Sequence, residues 1–137
     1  MEKRVQQVML KLPSDPRNIE LVESFVQKVA EKYRLSPDQF GNLRLSVTEA
    51  VNNAMIHGNG QDESKNVCIE LHKRKDAIAV RISDEGRGFD YNNVPDPTLP
   101  ENVCKCGGRG VFLMRNCSDR IDFRNNGSTV EMQFKLW

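Results

Sequence analysis

The sequence predicts an α/β (α+β) two-layer sandwich, with helices on one face of a mixed, mainly antiparallel sheet. Two observations carry this reading. Apolar residues recur at helical spacing through the first third of the chain, and β-patterned runs come later in pairs joined by short turns, with helices before and between them.

The elements follow in order. Val5 to Leu12 alternates imperfectly and stops at Pro13, as an edge strand would on entering a turn at Ser14-Asp15-Pro16. From Arg17 to Tyr33, Ile19, Val22, Phe25, Val26 and Val29 recur at three and four, which predicts a helix. Ser36 and Pro37 suit an N-cap and first turn, so a second helix should run from there to about His57, where Gly58 stops it. Its core face would carry Phe40, Leu43, Val47, Ala50 and Ala54, while Glu49, Asn53 and His57 form a polar stripe at spacings of four.

Gly58 to Lys65 reads as a polar loop. Val67 to Leu71 and Ile78 to Ile82 flank Lys73-Arg74-Lys75-Asp76, which predicts an antiparallel pair. Phe89 to Cys106 is the longest stretch without periodicity and holds Pro95, Pro97 and Pro100; long irregular loops in compact domains are usually functional or disordered. A short helix carries Val111, Phe112 and Met114. Asp119 to Arg124 and Ser128 to Leu136 form a last hairpin across Asn126-Gly127, a dipeptide suited to a type I′ turn.

Size and charge narrow the function. A chain of 137 residues is expected to be a single domain spanning 1–137. Its 20 basic and 19 acidic residues are interspersed, giving a formal net charge of +1, which argues against nucleic acid or a membrane surface as a partner. No apolar run approaches the roughly 20 residues of a membrane span, and no signal-peptide core follows the N-terminal Met-Glu-Lys-Arg. A cytoplasmic location is expected. Cys68, Cys104, Cys106 and Cys117 lack a CxxC spacing and read as reduced thiols; the alternative is a redox pair or half a metal site at Cys104-Lys105-Cys106, with His57 or His72 as a further ligand.

Three motifs in fixed order point to chemistry: Glu49-Ala50-Val51-Asn52-Asn53-Ala54, Asp84-Glu85-Gly86-Arg87-Gly88 and Gly107-Gly108-Arg109-Gly110. The first sets a carboxylate and a carboxamide four residues apart on one helix face, where a proton acceptor and an oxygen ligand for a hard cation such as Mg²⁺ lie side by side. In the second, Asp84 ends an apolar strand. It is either a common turn-initiating Asp or an acceptor for the exocyclic amino group that adenine carries where guanine carries a carbonyl, with Gly86 and Gly88 allowing close backbone approach. The third runs into a helix whose free N–H groups can face phosphate oxygens, with Lys105, Gly108, Arg109 and Gly110 around them. His57 reads most simply as a helix-terminal histidine at the negative end of the dipole.

In this order, from about Arg17 onward, the motifs resemble the Bergerat-type (GHKL) ATPases of the gyrase and sensor-histidine-kinase superfamily, and the short length resembles their anti-sigma-factor serine kinase branch. The resemblance implies a Bergerat fold with ATP and Mg²⁺ as cofactors and an ATP lid at about 91–107. It assigns Glu49 as general base, Asn53 as Mg²⁺ ligand, Asp84 as the acceptor of the adenine amino group, and Thr129 as a helper at the base, although a β-branched Thr in a strand also has an ordinary explanation. It further implies a homodimer that sequesters a sigma factor and phosphorylates a serine of an anti-sigma factor antagonist. One departure stands out. The branch carries a lid arginine just before the glycines, and here that neighbourhood reads Cys104-Lys105-Cys106; Lys is a point charge without the guanidinium fork. The alternative is a nucleotide-gated protein-binding module with little or no catalysis. A sensor-kinase catalytic domain would need a phosphoacceptor histidine on a dimerising helix, and a gyrase-like ATPase a further domain.

Overall fold

The computed structural model describes residues 7–88 and 108–136. Five strands, β1 (Gln7–Pro13), β2 (Asn66–Lys73), β3 (Ala77–Ser83), β4 (Arg120–Arg124) and β5 (Thr129–Lys135), form a sheet in the order β1-β2-β3-β5-β4. Each neighbouring pair is antiparallel, so the described sheet is antiparallel throughout rather than mixed. Three helices, α1 (Ile19–Lys32), α2 (Pro37–Asn53) and α3 (Gly108–Cys117), complete the two-layer sandwich that the pattern predicts.

The core lies between the layers because strand side chains alternate. Val67, Ile69 and Leu71 of β2, Ile78, Val80 and Ile82 of β3, and Val130, Met132 and Phe134 of β5 are buried against Val22, Val26 and Val29 of α1, Leu43, Val47, Ala50 and Val51 of α2, and Val111 and Met114 of α3. Phe40, expected on the core face of α2, is only partly buried at its margin.

The opposite sheet face is polar. Cross-strand register aligns Glu70, Arg81, Glu131 and Asp122 in one row across four strands. Glu131 is 2% exposed there, and its carboxylate receives Arg81 Nη2 at 2.8 Å and Arg74 Nη2 at 3.4 Å, with Arg124 Nη2 at 3.9 Å. Burial pushes the Glu131 carboxyl upward, but the Arg81 hydrogen bond and the charges of Arg124, Arg81 and Arg74 outweigh it and hold it below the usual range.

Local chemistry sets the element boundaries. The helix expected from Arg17 starts at Ile19, because Asp15 accepts the Arg17 N–H at 3.0 Å and opens a 3₁₀ turn over Pro16–Asn18 first. α2 begins where expected, with a reciprocal Ser36–Gln39 capping box. Its far end differs: the α-helix stops at Asn53, and Ala54–Gly58 form a π turn closed by the Asn59 N–H on the Ala54 carbonyl at 2.8 Å. The wider turn breaks the spacing of four that would stack His57 on Asn53, and His57 is exposed. The last hairpin also departs from a two-residue type I′ turn. Arg124 pairs with Thr129, leaving four loop residues, of which Asn125, Asn126 and Gly127 have φ of 52°, 59° and 95°. The Asn and Gly types do supply the left-handed residues, but over a longer loop.

Candidate functional site

Glu49 and Asn53 lie on successive turns of α2, on the side that meets the start of α3. Gly110 is in the first turn of α3, and a Cβ there would sit 2.8 Å from Asn53 Nδ2, 3.2 Å from Asn53 Oδ1 and 3.1 Å from Glu49 Oε1. The carboxylate and the carboxamide therefore converge on a cradle that exists because residue 110 has no side chain. Gly108 and Gly110 belong to the helix itself rather than to a turn preceding it, so the free amides of the first turn of α3 are presented next to Asn53. The Asn53 carboxamide oxygen in that cradle is the kind of hard donor that Mg²⁺ takes, so these residues fit the cation that the resemblance implies.

The second cluster lies beyond the π turn. Asp84 follows the last residue of β3, and its Oδ1 accepts the Gly86 N–H at 2.8 Å, so the turn-initiating reading of this residue is realised. The carboxylate is packed on the π turn: a Cβ on Gly58 would lie 2.3 Å from Asp84 Oδ2, and one on Gly86 would lie 1.9 Å from the Gly58 carbonyl oxygen. Gly88 has φ +87°, and a Cβ there would lie 1.9 Å from the Asn126 carbonyl oxygen, so both conformation and space reserve the position for glycine.

Thr129 is buried directly opposite Ser83 in the β3–β5 register. Its Oγ1 donates to Ser83 Oγ at 3.2 Å and accepts Asn125 Nδ2 at 3.2 Å, while the Asp84 N–H donates to the Ser128 carbonyl at 2.9 Å. The strand pairing thus brings Thr129 next to Asp84 through the backbone, with Ser83 as its side-chain partner. Lys105 and the 91–107 segment lie outside the described residues, as do Cys104 and Cys106; Arg109 falls in the first turn of α3.

Sequence reasoning missed Gly58 and Asn59, which it placed in a plain polar loop. The available signal was Gly58-Asn59-Gly60, an Asn between glycines directly after a helix. Cys68 and Cys117 are free thiols, and among the described residues no three His, Cys, Asp or Glu side chains are grouped to hold a metal.

Burial pushes the Asp84 carboxyl above the ordinary range, partly offset by the Gly86 N–H. A carboxyl that binds its proton more tightly when folded favours the fold most at pH below its unfolded pKa, and that contribution is lost as pH rises through the folded value. At neutral pH the ionised Asp84 is a strain on the fold. Asp84→Asn is therefore expected to raise the melting temperature of the nucleotide-free protein at pH 7, with the gain vanishing below the carboxylate range. A lower melting temperature across the whole pH range would contradict this.

The described helices include none long and apolar enough to cross a membrane. Comparison with known proteins bears on the family to which the chain belongs. A family model described as Histidine kinase-like ATPase domain matches residues 12–134. Among similar proteins, the Serine-protein kinase RsbW of Bacillus subtilis (strain 168) is 27% identical over 139 residues, covering 96% of this chain and 87% of its own. Its namesake in Listeria innocua is 26% identical, covering 91% and 84%, and that of Staphylococcus epidermidis 28%, covering 96% and 88%. The antiparallel sheet, the helical layer on one face and the match across nearly the whole chain agree: this chain belongs to the histidine kinase-like ATPase domain family.

Proposed function

We propose that the protein is an ATP-dependent protein serine kinase and anti-sigma regulatory factor, one domain over 1–137 with an ATP lid at about 91–107. The observation that carries the reading is the convergence of Glu49 and Asn53 on Gly110 at the start of α3, with Asp84 packed on the π turn that continues α2. The relatives named Serine-protein kinase support the reaction class.

In this reading Asp84 accepts the adenine amino group and Thr129 assists at the base, while Gly86 and Gly88 let the backbone approach it. The amides at Gly108 and Gly110 face the phosphates, and Lys105 and Arg109 supply positive charge to neutralise them. Asn53 would hold Mg²⁺, which when bound would neutralise phosphate charge. Glu49 accepts the proton of a serine hydroxyl as its oxygen bonds to the γ-phosphorus and the bond to the β-phosphate oxygen breaks, leaving phosphoserine and ADP. Positioning and charge neutralisation supply most of the acceleration in such transfers. The serine belongs to an anti-sigma factor antagonist, and the competing partner is a sigma factor. The protein acts as a cytoplasmic homodimer, without nucleic acid or membrane.

Titration with ATP and with GTP, each with and without Mg²⁺, tests the site. Selective binding of ATP that Mg²⁺ strengthens supports the reading, and radiolabel transfer to a serine-bearing antagonist tests turnover. Lys105 in place of the branch's lid arginine favours a second reading, a nucleotide-gated binding module, which Mg²⁺-dependent ATP binding without any transfer would establish.

Gly110→Ala separates site from fold. The added methyl meets only side-chain ends, so the melting temperature should stay within about 2 °C, whereas Mg²⁺-dependent ATP affinity should fall about tenfold as Asn53 is displaced. Unchanged affinity would remove Gly110 and Asn53 from the phosphate site.

A further inference from the structure

We propose that Asn59 is a positioning residue that fixes the Asp84 carboxylate for recognition of the base; the inference rests on the adenine role of Asp84 proposed above. Asn59 is 3% exposed, although it lies between two glycines, the half-buried Gly58 at the end of the π turn and the exposed Gly60. Its carboxamide has a partner on every side. Nδ2 donates to Ser14 Oγ at 2.8 Å and to the Asn66 carbonyl at 3.0 Å, and Oδ1 accepts the Glu85 N–H at 2.7 Å. Its own N–H closes the π turn on the Ala54 carbonyl. One side chain therefore ties the end of β1, the start of β2 and the loop after β3 to the turn that ends the Glu49–Asn53 helix.

The link to Asp84 is short. Glu85 N belongs to the peptide that follows the Asp84 Cα, and the Asp84 carboxylate lies against Gly58, the residue before Asn59. The loop is thus held at two adjacent points, by contact at Gly58 and by a hydrogen bond at Asn59. Ser14, itself fully buried, is anchored in turn by donating to the Lys65 carbonyl at 2.9 Å. Glu85 adds a second tie, its Oε2 accepting the Asn66 N–H at 2.5 Å, so the loop keeps its general place if the Asn59 bond is lost. What the Asn59 bond adds is the orientation of the 84–85 peptide, and with it the direction in which the carboxylate points. A half-buried carboxylate such as that of Asp84, aimed at one donor, discriminates sharply only while its geometry is held.

The test compares ATP with inosine triphosphate, which carries a carbonyl where adenine carries its amino group. Affinities and melting temperatures are measured for the wild type, Asn59→Ala and Asn59→Asp. The wild type should prefer ATP. Asn59→Ala should weaken ATP binding about tenfold while leaving inosine triphosphate within about twofold, collapsing the preference. Asn59→Asp retains an acceptor for the Glu85 N–H and should recover most of the preference, even where its melting temperature drops through loss of the two donors. This variant carries the test if Asn59→Ala does not fold, because a folded Asn59→Asp protein without the preference overturns the proposal. An equal fall for both nucleotides in Asn59→Ala would mean a purely structural role and would also overturn it. A wild type that binds ATP without preferring it, or binds neither nucleotide, would sink the adenine role of Asp84 and this inference together, whereas a wild-type preference left intact in Asn59→Ala sinks this inference alone.

Discussion

Glu49→Gln is expected to bind ATP with Mg²⁺ within about twofold of the wild type and to transfer phosphate to its serine substrate about 10²–10⁴-fold more slowly. The substitution preserves shape and keeps an oxygen beside the Gly110 cradle, while removing the negative charge and with it the capacity to take a proton. Glu49 is half-buried on α2 and is not part of the core cluster, so the helix does not need its charge to fold. Single-turnover transfer measured beside ATP titration checks the prediction. Wild-type transfer by Glu49→Gln would remove the general-base assignment, and loss of ATP binding would assign Glu49 to the nucleotide instead.

The second large effect is on stability. Glu131→Gln should lower the stability at neutral pH by about 2 kcal/mol, or about 8 °C in melting temperature, because it leaves Arg81, Arg74 and Arg124 around a neutral group. The partial exposure of the arginines keeps the figure below that for a fully buried pair. A carboxyl held below its ordinary range contributes stability above its unfolded pKa and loses it as pH falls through the folded value. The difference between wild type and variant should therefore be full at neutral pH and shrink in strong acid. Melts across that range check it, and a pH-independent difference would mean that packing rather than charge is responsible.

Much of this fold is written in local pattern. The strands flanking Lys73 to Asp76 and the Ser36 start of α2 declare themselves through alternation and capping chemistry, which depend on near neighbours in sequence. The π turn does not. Nothing in Ala54 to Gly58 marks a widened turn until β3 brings Asp84 against Gly58, a contact between residues 26 positions apart in sequence in the companion pair Asn59–Glu85. Asn125 was hidden for a similar reason: Asn126-Gly127 signals a tight turn, and only the pairing of Arg124 with Thr129 lengthens it. Candidate site residues were legible where a motif carried them, as at Glu49, Asn53 and Asp84. The residues supporting them, Gly58, Asn59 and Ser83, are distinguished by three-dimensional neighbours that no spacing along the chain records.

The placement of β5 between β3 and β4 has a consequence for how the molecule comes into being. During synthesis β1, β2 and β3 can zip together as they emerge, yet β3 then presents an open edge until β5 arrives. Ser83 and Thr129, the facing residues at the end of that seam, are 46 positions apart. Until then the nascent sheet displays unpaired backbone beside Ile78, Val80 and Ile82, the kind of edge that other chains can capture. The same docking event carries Thr129 and the Ser128 carbonyl to Asp84. Closing the sheet and completing the region around Asp84 are one step, so a newly made chain assembles the surroundings of Asp84 only as it covers the open edge of β3.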